Sequence, residues 1–147
     1  MKKIRLIIIS AFILSSSNFA KADLNNSLKK YLDEKDLDKA STQIYLLKRC
    51  SAVYAYASGI VLKSDAVSSK NFIEVSNNLL FKSVELMVID ENKKLEEAQT
   101  EAEKNRKELF SNYIADGKKN WEKNKSHFKG SYISEDMAIC SKLTEEN

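Results

Sequence analysis

This sequence predicts an all-α fold: a small bundle of four to five helices with one disulfide, preceded by a cleavable signal peptide. Three observations carry that prediction. Proline is absent from all 147 residues and glycine occurs only three times, so little in the chain breaks a helix. Apolar residues recur at spacings of three and four along most of its length. The two cysteines, Cys50 and Cys140, follow an export signal into an oxidising compartment, where an isolated pair forms a disulfide.

The signal occupies residues 1–22. Met1-Lys2-Lys3-Ile4-Arg5 is a positive head, and Leu6 to Leu14 is an apolar run broken only by Ser10. Ala20-Lys21-Ala22 puts small residues where signal peptidase reads, so cleavage is expected before Asp23. The run is shorter than the roughly 20 apolar residues that cross a bilayer. The alternative, an uncleaved N-terminal anchor, has to accommodate Arg5 inside its apolar stretch. No cysteine stands near position 20 to accept a lipid. The expectation is an exported protein, periplasmic or extracellular, with no transmembrane helix in the mature chain. Four of the 24 basic residues (Lys2, Lys3, Arg5, Lys21) and none of the 21 acidic ones fall in the signal, which leaves 20 against 21, a net of −1. That balance lacks the basic excess behind a general attraction to nucleic acid. Residues 23–147 have the length of a single helical domain.

Leu24, Leu28, Tyr31 and Leu32 form a narrow stripe that predicts a first helix over 23–35, ending in a charged joint from Asp33 to Asp38. Asp36 or Asp38 can cap a second helix reaching about Lys63. There Leu46, Cys50, Val53, Ala57 and Ile60 share a face, Leu47, Tyr54 and Val61 widen it, and Ala52, Ala55, Ser58 and Gly59 keep the helix thin. Residues 64–69 read as a joint, with Ser69 or Asn71 capping the next helix. From Phe72 to Ile89 apolar residues cover most of the circumference, which predicts the central helix of the bundle. A strand over 84–89 is the competing reading and lacks a pairing partner.

From Glu91 to Glu108 charge dominates, while Leu95, Ala98, Ala102, Leu109 and Tyr113 keep a helical period. Glu101–Lys104 and Glu103–Lys107 stand at supporting spacings. One unbroken helix from Asn71 to Ala115 would measure about 70 Å, longer than the domain, so a bend at Asp90-Glu91-Asn92 is expected rather than a projecting arm. Phe110, Ile114 and Trp121 restore an apolar face, and Asp116-Gly117 is the expected helix end. Residues 126–132 read as a loop. Ser134 is the expected cap of a last helix, with Glu135 and Asp136 in its positive first turn and Met137, Cys140 and Leu143 on its apolar face.

Few residues suggest chemistry. His127 is the one histidine, so any Ser-His-Asp or Cys-His arrangement must use it. The serines show no Gly-x-Ser-x-Gly turn, and a disulfide would consume both thiols. A single histidine with two distant cysteines is a poor start for zinc. The acidic joint Asp33–Asp38 lacks the glycine and terminal glutamate of a calcium loop. Dinucleotide, phosphate-loop and His-Glu-x-x-His motifs are absent, and no cofactor or metal is expected. The strongest local feature is Gly117 to Lys129, where Lys118, Lys119, Lys123, Lys125 and Lys129 face one acid, Glu122, with Trp121 and Phe128 interleaved. That mixture suits an anionic membrane surface, and the same pairing could serve a nucleic acid or an acidic partner. The plainer reading puts both rings in the core and the lysines in solvent.

Function therefore enters as three expectations. The leading one is a non-catalytic interaction protein of the envelope: a binder, inhibitor or chaperone-like factor for an unknown envelope protein. An apolar groove left open in the fold would favour it. The second is a peripheral membrane-surface protein that meets anionic lipid through residues 117–129. The third is an enzyme of unknown type, which would need a deep pocket with polar groups converging on His127. In architecture alone the chain is similar to small periplasmic helical proteins with one disulfide, among them acid-stress chaperones, and architecture does not carry function.

Overall fold

The computed structural model describes residues 27–145, which form five α-helices with no strand among them: α1 (Leu28–Asp33), α2 (Ala40–Val61), α3 (Ala66–Ile89), α4 (Leu95–Asn124) and α5 (Tyr132–Glu145). The signal-peptide reading and the start of the predicted first helix lie outside the described residues. Among those residues no helix is long and apolar enough to cross a membrane.

Several boundaries differ from the sequence reading, each for a local reason. Ser27 opens α1 by accepting from the Lys30 amide. Neither Asp36 nor Asp38 caps α2; Lys39 precedes it without a side-chain bond, and Asp36 accepts from the Asp38 amide inside the joint. α3 starts before Ser69 because Asp65 accepts from the Ser68 amide at 3.0 Å, which frees Ser69 to turn inward. The bend at 90–92 is present: α3 stops at Ile89, Asn92 takes a left-handed conformation (φ 54°), and α4 begins at Leu95. Leu95, expected on the buried stripe, is exposed in the first turn. Glu101 turns to Lys93 in the joint before α4 and to Lys48 on α2 rather than to Lys104. Gly117 does not end α4, which continues to Asn124. Ser134 lies inside α5, its hydroxyl donating to the Ser131 carbonyl.

The central helix is α2, not α3: α2 packs against all four others. The buried side of α3 carries Ser69, Ser76 and Ser83 at seven-residue intervals, while Phe81 and Ile89 stand 60% and 70% exposed. Ser51 donates to the Ser76 carbonyl and Ser76 to the Ser51 carbonyl, both at 2.7 Å, and Ser58 donates to the Ser69 carbonyl at 2.8 Å. Small side chains that satisfy their own hydroxyls let the two backbones approach, so polar residues fill the closest seam of the bundle.

α3 returns antiparallel to α2, and α4 runs alongside α2 again. At one end Ile44 meets Val84, Met87, Ala98 and Ala102; toward the other lies the larger cluster around Val53, Tyr54, Tyr56, Leu109 and Tyr113. α5 joins this larger cluster through Ile133 and Cys140. Cys140 is bonded to Cys50, with Cα atoms 5.3 Å apart, which staples α5 to the middle of α2.

Candidate functional site

Two constellations stand out, and their burial separates them. The first centres on Arg49 and Asp136, 1% and 0% exposed. Arg49 donates through Nε and Nη2 to Asp136 Oδ2 at 2.9 and 2.7 Å, and through Nη1 to the Tyr45 hydroxyl. The Tyr113 hydroxyl donates to the same Asp136 oxygen at 2.7 Å, and the Leu28 amide donates to Oδ1 at 2.6 Å. Burial opposes the charge on Arg49, but Tyr113, Asp136 and Tyr45 outweigh it and keep the guanidinium charged. Burial also drives the Tyr113 phenol well above its ordinary range, so it stays a donor. Sealed from solvent, this network pins α1, α2, α4 and α5 together and presents nothing to a ligand.

The second constellation faces solvent. An open groove of about 280 Å³ lies between α2 and α4, lined by Tyr56, Gly59 and Ile60 from α2, by Phe110, Ile114 and Lys118 from α4, and by His127 from the loop that follows. Phe110, Ile114 and Lys118 recur every four residues, which stacks them on one face of α4. Gly59 stands on the groove with nothing within 4 Å of where a Cβ would be, so its bare backbone leaves room that any side chain would fill. The lining is apolar apart from Lys118, His127 and the Tyr56 hydroxyl, and no carboxylate lines it.

The end of the groove is fixed by Gly117. A Cβ there would sit 1.7 Å from the Tyr56 hydroxyl, so glycine is what lets that ring lie against α4. So placed, the Tyr56 hydroxyl is hydrogen-bonded to His127 Nδ1 at 3.1 Å. Burial pushes the Tyr56 phenol up to about 12, which keeps it protonated. His127 in turn stacks on Trp121, with ring centroids 4.9 Å apart. Lys125 ends α4 in a left-handed conformation. Asn120 then donates to the Ser126 and Lys129 carbonyls at 2.7 and 3.0 Å, holding the turn that carries His127.

The predicted basic-aromatic segment divides across this frame. Phe128 packs into the core beside Tyr56, ring centroids 5.6 Å apart, while Trp121 is 47% exposed. Lys119 pairs with Asp116 at 3.1 Å. Lys123, Lys125 and Lys129 are exposed around the C-terminal end of α4. Lys118 alone of the five lysines lines the groove. Among the described residues no group of three or more His, Cys, Asp or Glu side chains could hold a metal ion. Sequence reasoning missed Arg49 and Asp136, which look like ordinary surface charges, and missed that Tyr56, Gly59 and Gly117 act together. The signal for the last was the scarcity of glycine itself, with two of the three sitting inside helices. Comparison with protein-family models, with curated proteins and with solved structures finds no match to this chain.

Proposed function

We propose that this chain is an exported, non-catalytic binding protein that seats an apolar ligand in the groove between α2 and α4. The observation that carries this reading is the groove's lining: Ile114 is exposed and Ile60 and Phe110 are half-buried beside the bare backbone of Gly59, with the buried Tyr56 ring behind them. Exposed apolar surface of this kind lowers free energy when a ligand covers it. The polar groups at its rim are Lys118 and the hydrogen-bonded pair Tyr56–His127, with no carboxylate in the lining to orient the imidazole, which suits orientation of a ligand better than its chemical conversion. Export is supported by the disulfide and by the signal-like residues 1–22.

The test is fluorescence titration of the protein purified from the periplasm, where intact mass should place its N-terminus at Asp23. The neutral apolar probe N-phenyl-1-naphthylamine should bind at one saturable site. Gly59→Leu, which adds a side chain into open space and leaves the fold intact, should remove that binding, whereas Phe81→Ser on the exposed side of α3 should not. Binding unaffected by Gly59→Leu, or no binding, overturns the groove reading. A second reading, attachment to an anionic membrane surface, draws support from the half-exposed Trp121 among Lys118, Lys123 and Lys125. It predicts salt-sensitive binding to anionic vesicles that charge reversal at Lys119 and Lys123 abolishes.

A further inference from the structure

We infer that the occupant of the groove is a free fatty carboxylate, its alkyl chain lying along Ile60, Phe110 and Ile114 and its head group meeting Lys118. The inference rests on the groove being the binding site, and three features of the site select this chemistry.

The first is what the walls lack. Both walls are helices whose backbone groups are spent within the helix, so an extended peptide finds no ladder of donors and acceptors to pair with. The second is size. A groove of about 280 Å³ is smaller than the sites that enclose drug-sized ligands, and its lining on α4 reaches only from Phe110 to Lys118. A slim chain of about eight to ten carbons matches that space, and the bare backbone at Gly59 lets it lie close. The third is charge. The rim carries an ammonium and an imidazole and no carboxylate. Lys118 has no ion-pair or hydrogen-bond partner among the described residues, whereas its neighbour Lys119 is already paired to Asp116. An apolar trough ending in an unpaired cation complements an apolar chain ending in an anion.

The experiment is isothermal titration of the exported protein at neutral pH with hexanoate, octanoate, decanoate and dodecanoate, with decanol, and with decyltrimethylammonium, all below their aggregation limits. Affinity should rise about fourfold with each added methylene and level off near ten carbons, where the groove is full. Decanoate should bind about three- to fivefold more tightly than decanol, and decyltrimethylammonium more weakly than either. Lys118→Glu should erase the preference for decanoate while decanol still binds, and Gly59→Leu should abolish both. Equal affinity for decanoate and decanol overturns the fatty-carboxylate inference and leaves the groove reading standing. Failure of every alkyl ligand together with N-phenyl-1-naphthylamine overturns the groove reading itself. Binding only to anionic phosphatidylglycerol vesicles, unchanged by Gly59→Leu, assigns the lipid contact to the surface around Trp121 and overturns both.

Discussion

Arg49 and Asp136 show how one buried pair can govern a whole junction. Each Asp136 oxygen is used, one by the Leu28 amide and the other by Arg49 and Tyr113. Removing one partner leaves the other charge buried without compensation. Asp136→Ala should therefore lower unfolding free energy by about 3 to 5 kcal/mol in urea denaturation, whereas Arg49→Met combined with Asp136→Leu should cost much less. An Asp136→Ala loss below about 1 kcal/mol would mean that water reaches the site. Tyr56 gives the pH counterpart. Its phenol holds its proton to about 12 instead of the ordinary 10.0, so its contribution to stability is complete below pH 10 and disappears as pH climbs through 12. Tyr113 and Tyr132, also pushed upward by burial, add to the same alkaline loss. Thermal melts at pH 8, 10 and 11.5 should show a falling midpoint, and Tyr56→Phe should fall less steeply than the parent. Parallel curves would remove Tyr56 from the account.

At the scale of elements, the two helical glycines make opposite predictions from the same chemistry. Glycine in a helix interior costs about 1 kcal/mol relative to alanine. Gly59→Ala meets nothing and should stabilise by about 0.5 to 1 kcal/mol. Gly117→Ala strikes the Tyr56 hydroxyl and should destabilise by about 1 to 3 kcal/mol despite its better propensity, because the ring must leave His127. Chemical denaturation of the two variants beside the parent checks both signs. Gly117 also marks where sequence reading stops. A glycine after aspartate reads as a helix end, since local pattern carries no sign that a ring from α2 lies across it. The apolar faces of α2 and α5, the break at 90–92 and the pairing of the cysteines were legible, because each follows from spacing, from length or from having a single possible partner. The central role of α2 was not. Hydropathy counts Ser69, Ser76 and Ser83 as exposed, whereas the hydroxyls of Ser69 and Ser76 are satisfied against α2, that of Ser83 donates to the Leu80 carbonyl within α3, and their small size is what the seam requires. The groove was illegible for a related reason: it is made by residues that leave space, and patterns of apolar residues report only the space they fill.

For the whole molecule, the attachment of α5 is the largest single dependence, and it rests on two different bonds side by side. Cys50–Cys140 closes a loop of 90 residues, and adjacent Arg49 holds Asp136 one turn earlier in α5. The loop-closure account assigns such a cross-link about 4 to 5 kcal/mol through the unfolded chain, against a total of about 5 to 15 kcal/mol for a domain. The ion pair acts instead in the folded state, so the two losses fall on different sides of the equilibrium. Reduction alone should lower the melting midpoint markedly yet leave α5 docked, since Asp136 still satisfies Arg49, Tyr113 and the Leu28 amide. Asp136→Ala alone should leave α5 tethered but loosely packed. Reduced Asp136→Ala loses both holds, and α5 should then come away from α2 while the α2–α3–α4 unit, with its serine seam and its own apolar cluster, keeps much of the helical signal. Limited proteolysis reads this directly, since the released loop over 125–131 should be cut first in the reduced variant and resist in the other three states. Equal protection in all four would show that Ile133 and its apolar neighbours are enough to hold α5, and that neither bond governs its docking.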